Sequence, residues 1–234
     1  MMDCLFNEIT VAECYNYDIV YRRKHLDQSI GIFKKIYEEV MGARNIEIPE
    51  SEFHDLSLNF IQPGRQNDPT LENIQKFRDF IFKRYNIHEE TDSPEVILIE
   101  RGDRIELMLD EDLKKINKNI TTGKERREIT DIQKIKKSLE EKYGNRFRSV
   151  ILETMDFKDQ IRCFKNAKLV IGIHGGGLAN ILFCNKGTIL IEVSGGGDFG
   201  WRFLNNSCKK LEIQQIKCEN DINEINGLLD NIHI

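Results

Sequence analysis

The sequence predicts an α/β protein: a Rossmann-like domain with a parallel sheet over residues 91–234, preceded by a partial, mainly helical N-terminal lobe over residues 1–90. Three observations carry this. Short continuous apolar runs recur after Pro94, as in strands buried on both faces. Helical patterns separate those runs, which implies right-handed crossovers and parallel pairing. Before Pro94 the pattern is different, with helical periodicity interrupted by a polar, proline-bearing stretch.

Taken in order, Ile30, Phe33, Tyr37, Val40 and Met41 repeat at three and four residues and predict a helix. Residues 43–70 hold Pro49, Pro63 and Pro69 and the turn-like run Gln62-Pro-Gly-Arg-Gln-Asn-Asp-Pro69, so they read as a long loop. Leu71, Ile74, Phe77, Phe80, Ile81 and Tyr85 form a second helical stripe, with Thr70 as its N-cap. Strands are then expected at 95–100, 148–152, 169–173, 188–193 and 211–216. Between them fall an apolar stripe of Ile129, Ile132, Ile135, Leu139 and Tyr143, one of Phe157, Ile161 and Phe164, and one beginning Leu178, Ile181, Leu182. A last stripe, Ile222, Ile225 and Leu229, follows the final strand.

Composition is that of a soluble globular chain: 234 residues, 40% apolar, 31% charged, net charge −5. Bulk charge therefore does not point to nucleic acid. No apolar run reaches the length of a membrane span. The N-terminus, MMDCLFNEIT, has early acids and no basic n-region, so the expectation is a cytoplasmic protein. The six cysteines form no CxxC pair and have no histidine at zinc spacing; they read as buried reduced thiols, and no metal is expected. The sequons at Asn119 and Asn205 carry little weight without a secretory signal.

The sharpest feature is Ile171-Gly-Ile-His-Gly-Gly-Gly-Leu-Ala-Asn180. A buried strand runs into His174, three glycines and a helix. Glycines let backbone N–H groups approach a ligand, and a helix N-terminus adds donors and partial positive charge, so this is an anion site suited to a diphosphate. The alternative is a tight turn with a structural histidine. His-Gly-Gly-Gly also builds the oxyanion hole of lipase-like hydrolases, but the chain has no G-x-S-x-G. Gly195-Gly-Gly-Asp-Phe-Gly200 formally contains G-x-G-x-x-G, yet it follows a late strand and Glu212 is expected to start the next one, so it reads as a loop at the same mouth. Glu100-Arg-Gly-Asp-Arg104 follows the first strand, where arginine forks would face a phosphate; a solvated charged turn is the competing reading. Glu192 lies in the apolar run Ile189-Leu-Ile-Glu-Val193, costly without a partner, and is expected either to accept from ribose hydroxyls or to sit at an edge.

These clusters, in this order, resemble the family-61 glycosyltransferases, which include EGF-domain and O-mannose N-acetylglucosaminyltransferases, plant xylosyltransferases and bacterial capsular-polysaccharide-like proteins. The resemblance covers about residues 95–217. It rests on Lys168-Leu-Val-Ile-Gly-Ile-His-Gly-Gly-Gly-Leu-Ala-Asn-Ile-Leu-Phe183, on Gly187 and Ile191-Glu192, on Arg101 and Arg104, on Asp110-Glu-Asp-Leu113 as the start of an acidic helix, and on Phe157-Lys-Asp-Gln-Ile161. Gly176 and Ala179 stand where the family has Ala and Thr. The resemblance implies a GT-B fold, of which residues 91–234 would be the C-terminal half. It implies transfer of a sugar from a nucleotide donor, such as a UDP-sugar, to a glycan or protein hydroxyl with inversion. Arg101, Arg104, His174, Gly175, Gly176, Gly177, Leu178, Asn180 and Glu192 would bind the donor, which is a substrate; no further cofactor is implied.

A full family member carries roughly another domain of N-terminal residues. Two further readings follow from that expectation. The chain is a non-catalytic nucleotide-sugar-binding or interaction module, a remnant of such an enzyme; or a second copy or a separate chain completes the N-terminal lobe, with exposed apolar area on 1–90 as the sign.

Overall fold

A computed structural model describes residues 20–23 and 45–48 as backbone, and residues 69–88, 93–102, 124, 127–196 and 201–234. The chain divides into two compact units, Met1–Asn86 with Ile105–Ile120, and Ile87–Arg104 with Thr121–Ile234. The expected helix over 30–41, the acidic helix start at 110–113, Arg104, Cys4 and Cys14 lie outside the described residues.

In the first unit, β1 (Val20–Arg23) and β2 (Asn45–Ile48) pair in parallel. The periodicity reading did not separate either strand from the helices and loop of 1–90, although Asn-Ile-Glu-Ile alternates as a strand does. Helix α1 (Leu71–Tyr85) begins where expected: the Thr70 hydroxyl accepts from Asn73 N–H at 3.1 Å, and Asn86 closes it in the left-handed conformation. Ile74, Phe77, Ile81 and Tyr85 are buried along one face, whereas Leu71, in the first turn, is exposed.

The second unit is a five-stranded parallel sheet in the order β4-β3-β5-β6-β7. The strands are β3 (Val96–Glu100), β4 (Phe147–Ile151), β5 (Leu169–Ile173), β6 (Ile189–Val193) and β7 (Gln214–Cys218). Helices α2 (Ile132–Tyr143), α3 (Phe157–Asn166), α4 (Arg202–Lys210) and α5 (Ile222–Asn231) lie between or after them. Ile132, Ile135, Leu139 and Tyr143 of α2 and Ile225 and Leu229 of α5 pack with Val96, Leu98, Leu169, Ile171, Ile191 and Val193 in one core. The alternate strand residues Ile97, Ile99, Val170 and Leu190 are equally buried. Burial on both faces is why these strands read as unbroken apolar runs. The α/β class, the parallel sheet and four of the five strand positions agree with the sequence reading.

Three details differ from it. The turn after the glycines is a 3₁₀ helix, Gly176–Phe183, in place of an α-helix. Helix α4 was not anticipated; Phe203, Leu204, Ser207 and Cys208 form its buried face. That helix displaces the last strand. Leu211 caps it, Glu212 turns left-handed at φ 55°, and Ile213 N–H still bonds Cys208 C=O at 2.9 Å. The strand therefore starts at Gln214, and Glu212 belongs to the turn.

Candidate functional site

The sheet order defines where a ligand fits. From β3 the chain moves outward to β4, then returns across β3 to build β5, β6 and β7 on the other side. The switch point of the sheet therefore falls between the C-terminal ends of β3 and β5, the place at which open α/β sheets bind ligands. Arg101 and Gly102 follow β3, and His174 and Gly175 follow β5. The two motifs singled out in the sequence thus meet at one crevice.

Their contact is close. A Cβ on Gly175 would lie 2.2 Å from Nη2 of Arg101, so the guanidinium fills the space a side chain there would take and would have to swing aside for one. Arg101 Nη1 also lies 3.9 Å from Glu153 Oε1, just beyond β4. The other Glu153 oxygen is buried and finds no hydrogen-bond partner among the described residues. The remaining glycines serve other ends. A Cβ on Gly177 would meet Leu152 Cδ1 at 3.0 Å, whereas Gly176 is exposed and faces open space. Leu178 N–H is taken by Gly175 C=O at 3.0 Å. The N–H groups of Gly176 and Gly177 head the turn, where a helix has no internal partners for its donors.

His174 continues the ladder one residue past β5, its N–H on Val193 C=O at 2.8 Å. Its Nδ1 is 2.5 Å from Oε1 of Glu192. Glu192 is wholly buried, and its second oxygen accepts from Gln215 Nε2 at 2.6 Å, which also donates to Asn205 Oδ1 at 2.9 Å. A buried carboxylate demands such partners. An ionised carboxylate only accepts, so Nδ1–H donates to it; in the neutral ring Nε2 is then the acceptor. Trp201 stands edge-on to the imidazole, with ring centroids 6.3 Å apart.

Leu178 and Asn180 point inward. Leu178 is buried, with Cδ2 2.9 Å from where a Cβ on Gly172 would sit. Asn180 is buried too, and its Nδ2 donates to Gly177 C=O and to Gln160 Oε1, both at 3.2 Å. Glu192 likewise stands behind His174, with both oxygens engaged by protein. Sequence reasoning missed Arg127, whose Nη1 donates to His174 C=O at 2.8 Å. It also missed Glu153, Gln215, Asn205 and Trp201. Arg127 sits in the charge run Lys-Glu-Arg-Arg-Glu, which resembles any solvated turn, and Gln215 is a lone polar residue in a strand. Among the described residues no group of three His, Cys, Asp or Glu is arranged to hold a metal ion, and no helix is long and apolar enough to cross a membrane. Cys163, Cys184, Cys208 and Cys218 are buried free thiols.

No curated protein matches the chain. The family model described as Glycosyltransferase 61 matches residues 46–191, more than half the chain, and the match takes in β3, β4, β5 and the start of β6 with Arg101, His174 and the three glycines. On this match, the chain belongs to the glycosyltransferase 61 family, whose general activity is sugar transfer.

Proposed function

We propose that the crevice between β3 and β5 binds a nucleotide sugar, a UDP-sugar by the family resemblance, and that the chain transfers its sugar to a hydroxyl of a glycan or protein with inversion. The sheet domain is then the donor-binding half of a GT-B enzyme. The acceptor oxygen attacks the anomeric carbon, its proton passes to a base, and the nucleoside diphosphate leaves with the bonding electrons. Negative charge grows on the bridging and phosphate oxygens as that bond breaks. Fixed donors there are worth most in the transition state. Arg101 and the N–H groups of Gly176 and Gly177 contact the diphosphate. His174 presents Nε2 to the donor. Glu192 holds the ring from behind, and Leu178 and Asn180 hold the turn.

The observation that carries this reading is the Arg101 guanidinium lying on Gly175 at the switch point. A fork laid on bare backbone beside the N–H groups that head a helical turn is a geometry for an oxyanion. Calorimetric titration with UDP and UDP-GlcNAc tests it. Wild type should bind, and Arg101→Ala and Gly175→Ala should each weaken binding by about tenfold, the scale of a charged hydrogen bond. Wild type silent toward these and other nucleotide sugars at about 1 mM, the weak end of measurable affinity, would remove the donor-site reading.

A further inference from the structure

Four side chains from separate elements form one line of hydrogen bonds behind the glycine turn. His174 follows β5, Glu192 lies in β6, Gln215 in β7 and Asn205 in α4. Glu192 stands level with Lys217 on β7, and Gln215, two residues earlier, lies on the same face of the sheet. Gln215 Nε2 donates to Glu192 Oε2 at 2.6 Å and to Asn205 Oδ1 at 2.9 Å. Both hydrogens of that amide are thereby used, and this fixes which way it points. Turned over, its oxygen would face the carboxylate and the Asn205 oxygen, three acceptors with no hydrogen among them. Asn205 therefore sets the Gln215 amide, and Gln215 sets what Glu192 receives.

The effect reaches the ring. Glu192 Oε1 and His174 Nδ1 are 2.5 Å apart, close enough to share one hydrogen. When the pair takes up a second proton, at Nε2, the shared hydrogen has two places. On Nδ1 it leaves a cationic ring on an ionised carboxylate. On Oε1 it leaves a neutral ring on a neutral acid. A hydrogen bond to the charged form favours that form, so donation from Gln215 to Oε2 keeps the hydrogen on Nδ1. A lysine in its place would neutralise the carboxylate; a neutral amide donates and leaves the negative charge for the imidazole. The charged groups nearby act in the same sense. Lys217 is exposed on β7, Arg127 donates to His174 C=O at 2.8 Å and Arg101 lies on Gly175, and all three favour an ionised carboxylate. Burial pushes the Cys208 and Cys218 thiols up to about 12, so they stay neutral beside it.

We infer that Gln215, anchored by Asn205, is a positioning residue that keeps Glu192 ionised behind His174, so that the ring becomes a cation when it takes up a proton at Nε2. A cationic donor makes the stronger bond to an anion. The line from Asn205 to His174 involves protein groups alone; its use on a ligand rests on the donor-site reading above.

Two-bond 1H–15N spectra of the imidazoles test it, on wild type, Gln215→Leu and His174→Asn. The last keeps an amide hydrogen for Glu192 and identifies the His174 signals among the five histidines. In wild type, Nδ1 should stay protonated at every pH at which the protein is folded. In Gln215→Leu, Nδ1 should lose its hydrogen to Glu192 on acidification while Nε2 keeps one. A wild-type Nδ1 that loses its hydrogen on acidification would overturn the inference, as would a Gln215→Leu ring that titrates like wild type, which would make Gln215 a packing residue only. If Gln215→Leu does not fold, Asn205→Ala, which leaves the amide without its anchor, is read in its place by the same two signs. Calorimetric titration with UDP adds the ligand. Gln215→Leu should bind it about tenfold more weakly, the scale on which a charged hydrogen bond exceeds a neutral one. Unchanged affinity in a variant whose ring has shifted would overturn the positioning role. Wild type that does not bind UDP removes the donor-site reading and leaves the spectra to decide the protonation of the pair.

Discussion

Replacing His174 with Ala should destabilise the domain sharply, and for a reason that depends on Glu192. The carboxylate is wholly buried and has two partners, His174 at 2.5 Å and Gln215 at 2.6 Å. Removing the histidine leaves a buried acid with one neutral amide donor. Leaving a buried carboxylate short of its partner costs about 3–5 kcal/mol, a large share of the roughly 5–15 kcal/mol that holds a typical domain together. Glu192→Gln alone keeps the shape but turns one acceptor into a donor, facing either Nδ1–H or the Gln215 amide, at about 1–3 kcal/mol. In that background His174→Ala removes only a bond between neutral groups, about 0.5–1.5 kcal/mol. The cycle therefore predicts a coupling of about 1.5–4.5 kcal/mol, the difference between those ranges. Urea unfolding can be followed by the fluorescence of Trp201, the single tryptophan, whose ring centroid is 6.3 Å from that of His174. Far-UV circular dichroism serves as the second probe, so that two-state behaviour is checked. Costs that add to within about 0.5 kcal/mol, as for independent sites, would refute the pairing.

Further predictions concern the packing and ionisation of the same domain. Gly172→Ala would place a Cβ 2.9 Å from Leu178 Cδ2 and 3.2 Å from Ile99 Cδ1, an overpacking cost of about 1–3 kcal/mol; thermal melting should show it, while Gly176→Ala, facing open space, should melt as wild type. Burial, with the Glu192 charge nearby, pushes the Cys208 thiol up to about 12. The thiolate is the reacting form, so iodoacetamide at neutral pH should spare Cys208 until the chain is unfolded in urea, as peptide mapping would show. At Glu100, burial alone would raise the carboxyl, but hydrogen bonds from Ser149 and Lys136 outweigh it and hold it below the ordinary 4.5. A depressed folded value means stability that is present above 4.5 and is lost as pH falls through the folded value. Glu100→Gln should therefore flatten the fall in melting temperature on acidification below that point, and an unchanged fall would count against the network.

How much could be read beforehand follows from how local each cause is. The Thr70 cap, the α2 stripe and the central strands rest on neighbours within one or two turns, so periodicity reports them directly. Helix α4 was missed because Phe203, Leu204, Ser207 and Cys208 carry only three strongly apolar side chains after a glycine-rich loop, and the following strand was then begun too early. The 3₁₀ form of 176–183 was also not legible. Its apolar residues fit either helical period, and the choice falls to packing against α3 and α4.

The sequence by itself determined the class of the domain, the parallel sheet and the two motifs, because buried strands, crossover helices and a glycine triplet are patterns of adjacent residues. Only the tertiary structure decided what the motifs do to one another. A parallel sheet gathers the C-terminal ends of strands far apart in the chain. Arg101 therefore comes to lie on Gly175, Arg127 on the His174 carbonyl, and His174 on a carboxylate that faces inward instead of the crevice. Those pairings are contacts in space between distant segments, and neither composition nor spacing along the chain carries a trace of them.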